Sequence, residues 1–210
     1  MIKGVNCRLG SNLHASLDTI IGDNVEIGNN VTIYPKVKIA DGCRIFDGAI
    51  IGRMPLATNT ITVPVNESYS DLTIGPGSII GCNCVLYTGI NVGRQVLVGD
   101  MAVLREDSVV ADQVVIGVQS YLQPGVQIGK RSRIQGHAEL GRNTIIAEDV
   151  FIGPSNSFPD DNNFYLSRFG IEPVSEDPSV IKRLAVTGVG ARILPGSIIG
   201  EGALVAAQAL

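Results

Sequence analysis

Two histidines occur in the whole chain, and one of them, His137, stands in the segment RIQGHAELG (133–141). Imidazole trades a proton near neutral pH, so a histidine held out from a regular framework is a candidate general base. Stepping away from it by 18 residues gives a column of paired positions: Cys82-Asn83, Asp100-Met101, Val118-Gln119, Gly136-His137 and Pro154-Ser155. Asn83, Asp100 and Gln119 would place amide and carboxylate groups along the same groove on other layers, suited to orienting the ring or a polar substrate. A second polar set, Asp160, Asp161, Asn162 and Asn163 in FPDDNNF (158–164), offers the acceptors and donors that sugar hydroxyls need. His14, in GSNLHASLD (10–18), falls in a stretch that looks irregular and is assigned no role.

The step of 18 comes from a shorter period. From Ile74 every sixth residue through Ile80, Leu86, Val92, Val98 and Leu104 to Phe158 is large and apolar, and four positions after each lies a mostly small or slim residue such as Ser78, Cys84 or Ala102. Ile21 to Ile51 keep the same spacing, as do Thr187, Ile193, Ile199 and Val205. Six is neither the helical period nor simple strand alternation. It fits a short strand followed by a turn, three times per coil, so that residues 18 apart stack at the parallel-strand spacing. Roughly nine coils about 40 Å tall are expected, with the large residues filling the axis. The fold class expected is all-β, a parallel β-helix forming one domain over 1–210, with two long loops, 53–71 and 159–183, inserted between coils. Loops of that length are more often functional than idle.

Composition narrows the function. Hydrophobic residues make up 45% and charged residues 17%, with no Trp, so Ile, Val, Leu and Ala must build the core. A net charge of −4 gives no cationic field for nucleic acid or an anionic membrane, and neither is expected as a partner. With no leader-like segment and no apolar run long enough to span a bilayer, a cytoplasmic location is expected. Cys7, Cys43, Cys82 and Cys84 are too scattered for a disulfide framework or a zinc site, so they are expected to be reduced and no metal is expected. The corners carrying 76–77, 94–95, 112–113, 130–131 and 148–149, and 88–89, 106–107, 124–125 and 142–143, both read as charged and solvent-facing.

This repeat resembles the hexapeptide-repeat family of left-handed parallel β-helices. Within that family, IQGHAELG followed by NTIIAEDVFIGP (143–154) and the polar DDNN (160–163), with LVGDMAVLRED (97–107) and the long excursion before IGPGSIIGCN (74–83), is similar to the enzymes that acylate the amino group of nucleotide-linked amino sugars. The resemblance implies an acyl-CoA-dependent N-acyltransferase, with acetyl-CoA or another acyl-CoA as co-substrate and His137 as the base. It also implies a homotrimer whose prisms pack through faces carrying Val115, Tyr121, Gln127 and Phe151. Cofactor contacts are expected at Gly188, Gly190, Ala191, Ala206 and Ala207, where small residues let backbone amides approach a pantetheine arm. Asn83, Asp100, Gln119 and 160–163 are expected to bind substrate, with the 159–183 loop folding back over the His137 groove or over a neighbour's. An O-acetyltransferase acting on a sugar or serine hydroxyl, or a non-catalytic β-helix scaffold, are the alternatives. A γ-type carbonic anhydrase shares the fold, but two histidines cannot supply its three zinc ligands.

Overall fold

A computed structural model describes residues 1–59, 63–174 and 177–210; residues 60–62 and 175–176, inside the two expected inserted segments, lie outside the described residues. The hexads behave as their spacing requires. In each, one large side chain turns inward at the end of a short strand, two turn residues follow, and the next inward position is small. All fifteen axial residues from Ile74 to Phe158 are buried, because successive coils pair in register: Leu104 with Leu122, Leu122 with Leu140, and Leu140 with Phe158. The chain is a parallel β-helix with three faces. The first stacks ten strands from Ile2–Lys3 to Ile198–Ile199, the second ten from Arg8–Leu9 to Leu204–Val205, and the third eight from His14–Ala15 to Ser157–Phe158. Ten layers replace the nine expected. The additional one is the N-terminal coil, where Lys3, Leu9 and Ala15 occupy the axial positions and disguise the pattern. His14 therefore lies on a regular strand, with its side chain exposed, and not in an irregular stretch.

Most turns between faces are closed by one residue in the left-handed region. On the His137 corner these are Asn83, Met101, Gln119, His137 and Ser155, with φ of 55 to 59°. Carboxylates and amides staple successive turns: the backbone N–H of Val5, Ser11, Asp23, Asn29, Cys82 and Arg94 donates to Asp23, Asn29, Asp41, Asp47, Asp100 and Asp112 respectively. These bonds satisfy turn donors that a parallel ladder leaves over.

Both long excursions leave the same corner, between the third and first faces. Ile39 pairs with Ile74 and Ile146 with Ile181, so each partner comes 35 residues on in place of 18. The second excursion is shorter than expected. Val180–Ile181 is already a strand of the first face, and 180–183 belong to the resumed coil. The one helix among its described residues, Phe164–Ser167, is a single turn.

Candidate functional site

His137 takes the left-handed turn position at the corner between the second and third faces, and its side chain is exposed. Asparagine, aspartate and histidine tolerate this conformation better than most residues, which accounts for an imidazole fitting here without distorting the coil. Asn83, Asp100 and Gln119 stand on the same corner and are also exposed. The layers are joined by the bonds from Met101 N–H to the Cys82 carbonyl, from Gln119 N–H to the Asp100 carbonyl and from His137 N–H to the Val118 carbonyl. Asp100 is already engaged, since its carboxylate accepts the Cys82 N–H at 2.7 Å. The amide of Gln119 leans back toward the sulfur of Met101 at 3.8 Å and not toward His137. Met101, Val118 and Val189 leave exposed apolar surface along this ridge.

The small residues of the C-terminal coils continue the same corner: Gly190 N–H donates to the Pro154 carbonyl, and Gln208 N–H to the Val189 carbonyl. Gly188 and Gly190 are small because the next coil presses on them; a Cβ on Gly188 would overlap the backbone of Ala207, and one on Gly190 the side chain of Gln208. Ala191 faces the axis and is fully buried, so it cannot touch a cofactor. Ala206 and Ala207 are exposed.

Residues 160–163 do not join this corner in the same chain. Asp160 pairs with Arg142 at 2.9 Å, on the corner between the third and first faces. Asp161 organises its own loop, accepting from Asn163 N–H at 2.7 Å and the Ser167 hydroxyl at 2.9 Å, and the Asn163 amide donates to Glu172 at 3.0 Å. Asn162 is exposed. Within one chain the loop therefore does not close over His137, which corrects that expectation and leaves the alternative of a neighbour's groove. It returns along the corner where it leaves, because Arg142 and Asp160 hold its root there.

That corner, read from the sequence as charged and solvent-facing, is the covered one. The first excursion is anchored over it by Ser70 and Thr88, which exchange bonds of 2.7 and 2.8 Å, and by Lys36 Nζ donating to the Tyr69 carbonyl at 2.8 Å. Beneath lies a groove of about 660 Å³ whose walls include Arg53, Val63, Tyr87, Arg105, Asp107 and Arg142. Val63 also borders a second cleft of about 640 Å³ under the later excursion, so the two loops flank one continuous corner. Glu106 is buried and takes a two-pronged bond from Arg105, Nε at 2.7 Å and Nη2 at 2.8 Å. The Arg105 guanidinium also lies 4.7 Å from the Tyr87 ring centroid and donates to Tyr121 Oη at 3.3 Å. Burial works against its charge, but the bonds to Glu106 and Tyr121 outweigh that and hold it protonated more firmly than an ordinary arginine. The Arg53 guanidinium lies 5.4 Å from the same Tyr87 ring centroid and donates to its Oη at 3.1 Å. Asp107 is harder to ionise than an ordinary aspartate, first through desolvation and then through the nearby Glu106 carboxylate.

One signal in the sequence marks this corner. After the axial residue the first face has Gly75, Gly93, Ala111, Gly129 and Ala147, whereas the third face has Tyr87, Arg105 and Gln123 on three consecutive coils. Three bulky polar residues in succession, at a position that is Gly or Ala on those five coils of the first face, announce something built outward.

Elsewhere the chemistry is quiet. All four cysteines are free, and burial pushes the Cys84 thiol up to about 11. Among the described residues there is no group of three or more His, Cys, Asp or Glu able to hold a metal ion, and no helix long and apolar enough to cross a membrane.

Two family models match the sequence, "Bacterial transferase hexapeptide (six repeats)" over residues 18–53 and "Hexapeptide repeat of succinyl-transferase" over residues 71–99. Over these segments the chain is similar to the hexapeptide-repeat family. Left-handed coiling goes with that family, and the later coils repeat the same geometry beyond the matched segments. The fold is similar to that of a UDP-N-acetylglucosamine acyltransferase from Campylobacter jejuni, at 18% identity and a TM-score of 0.59, over 76% of this chain and 68% of that one. It also matches LpxA from Acinetobacter baumannii (14% identity, TM-score 0.47, 98% of this chain and 67% of that one). A third match is the Arabidopsis UDP-N-acetylglucosamine acyltransferase (14% identity, TM-score 0.42, 93% and 69%). No curated protein sequence matches the chain. The two family descriptions and the fold together support an acyltransferase.

Proposed function

We propose that this protein transfers an acyl group from an acyl thioester, acyl-CoA, to a nucleotide-linked sugar, using His137 as the base. The observation that carries the reading is the β-helix shared with the Campylobacter jejuni UDP-N-acetylglucosamine acyltransferase, in a chain whose repeats match transferase families. In the reaction, a lone pair on the acceptor attacks the thioester carbonyl, the carbon–sulfur bond breaks, and the proton lost by the acceptor passes through His137 to the departing thiolate. A turn N–H on the same corner supplies the oxyanion donor. The ridge running from His137 past Ser155 and Gly190 to Ala207 supports this arrangement, since an extended thioester arm laid along it brings its carbonyl to the imidazole. Ala206 and Ala207 remain its proposed contacts, and Ala191 is withdrawn. Asn83 and Gln119 remain proposed substrate contacts, with Asp100 held mainly by its staple.

A lone corner is open to solvent, and a homotrimer is proposed to complete the site by bringing a neighbour's surface, including its 160–163 segment, against this ridge. The sugar's amine is the acceptor implied by the resemblance of the sequence. The second reading, a hydroxyl acceptor, is favoured by the named substrate of the similar structure, whose amine already carries an acetyl group. Replacing His137 with alanine separates the two in an assay that follows free thiol release with UDP-sugars bearing either an amine or only hydroxyls. A hydroxyl is the weaker nucleophile and needs the base, so loss of about 10²–10⁴-fold is expected for it. An amine acceptor loses about tenfold or less. Wild-type protein that releases no thiol with any sugar nucleotide would overturn acyl transfer itself.

A further inference from the structure

The groove under the first excursion plays no part in the chemistry proposed at His137, which lies one corner round the prism. Its three arginines are not equivalent. Arg105 is matched by Glu106 and Arg142 by Asp160. Arg53 is exposed and has no carboxylate partner among the described residues; its contacts are the Tyr87 hydroxyl and ring alone. Fixed over Tyr87 in this way, the guanidinium keeps most of its donors free in a set orientation, which suits two-pronged capture of a phosphate or carboxylate. At the other end of the same groove Asp107 presents a carboxylate that makes no side-chain hydrogen bond among the described residues. It stands one layer above the turn of Thr88 and Gly89, and leans back over Gly89. One to two layers separate the two free charges, about 5–10 Å at the parallel-strand spacing. Pro55, Leu56, Val63 and Pro124 supply apolar surface between and around them.

We propose that this groove is a binding site for a small two-ended organic anion: a phosphate or carboxylate held by Arg53, an apolar spacer along the loop wall, and an ammonium or hydroxyl donor held by Asp107. The arrangement selects for the pair of groups. A simple anion gains Arg53 but meets the repulsion of Asp107, and a simple amine meets the reverse. The paired charges beneath, Arg105 with Glu106, keep the floor rigid and electrically neutral.

Titration calorimetry with 6-aminohexyl phosphate, whose flexible spacer covers the required span, tests the site, with hexyl phosphate and 6-aminohexanoate in parallel. Aminohexyl phosphate is expected to bind about tenfold or more tightly than hexyl phosphate. Arg53→Gln should weaken both phosphates by about tenfold, while Arg53→Lys, which keeps the charge, retains part of the affinity. Asp107→Asn should erase the preference for the amine and leave hexyl phosphate no weaker. Comparable binding of 6-aminohexanoate would assign the ligand to the carboxylates, and its absence to the phosphates. The proposal fails if neither two-ended probe binds at about 10 mM. It fails equally if Arg53→Gln leaves affinity unchanged, or if Asp107→Asn leaves the amine preference intact. Because none of these titrations contains an acyl donor, the result is independent of the acyl-transfer reading.

Discussion

Glutamine in place of Glu106 changes little in shape and removes one charge from a pair that is mostly out of water. The side chains of Arg105 and Glu106 are 23% and 10% exposed. An ion pair at an open surface contributes about 0–1 kcal/mol, whereas removing one partner of a buried pair costs about 3–5 kcal/mol, because the other charge is left behind without compensation. Arg105 is not wholly abandoned. It keeps the Tyr121 bond at 3.3 Å and its place over Tyr87 at 4.7 Å, and its partial exposure lets water reach it. Those contacts offset about 1–2 kcal/mol. The expected net loss is about 2–3 kcal/mol, which lowers the melting temperature by about 4–12 °C in a chain of this size. Urea unfolding followed by circular dichroism measures it. Arg8→Met, which breaks the exposed pair with Glu26, serves as the comparison and should change stability by less than about 0.5 kcal/mol. The double variant Arg105→Met, Glu106→Leu removes both charges and should recover at least about half the loss, since no charge is stranded. If Glu106→Gln costs no more than Arg8→Met, or if the double variant falls by the sum of its singles, the pair is not behaving as a buried one.

Asp107 makes a prediction of opposite sign to a usual salt-bridged carboxylate. Its pKa in the fold is raised, by desolvation first and by Glu106 second. Its contribution therefore favours the fold most below the unfolded-state value of about 3.9 and declines as pH rises through the higher folded-state value. Asp107→Asn should raise the melting temperature at neutral pH and make little difference at about pH 3; an equal effect at both would show that ionisation is not the cause. At Asp100, alanine should cost about 1 kcal/mol by orphaning the Cys82 N–H while asparagine, which keeps an acceptor, costs less. A rise in KM for the sugar nucleotide in Asp100→Asn with unchanged stability would instead place Asp100 on the substrate.

The extent to which the sequence could be read differed from residue to residue for physical reasons. Ile74 and its successors at every sixth place are visible because an axial position tolerates little but a large aliphatic group, so composition is forced there. The N-terminal coil is hard to read because Lys3 and Ala15 take axial positions that elsewhere carry large aliphatic groups, which breaks the pattern. His137 was legible as a corner residue, since stacking by 18 needs only counting. The contacts of Asp100 were not, because the same aspartate at the first turn position serves either as a staple or as a ligand for substrate.

What the sequence determined by itself is the coil: its period, its axis, the stacking of residues 18 apart and the corner on which His137 stands. These follow from a local rule repeated many times, in which each hexad buries one side chain and turns once. What only the tertiary structure decided is which corner is covered. The two excursions have no period, so their path depends on non-local bonds such as Ser70 to Thr88 and Asp160 to Arg142. Arg105, Glu106 and Asp107 are adjacent in the chain and look like any charged turn. It is the loop from fifty residues earlier, folded back along the same corner, that forms a groove with them, in which Arg53 and Asp107 have no charge partner among the described residues.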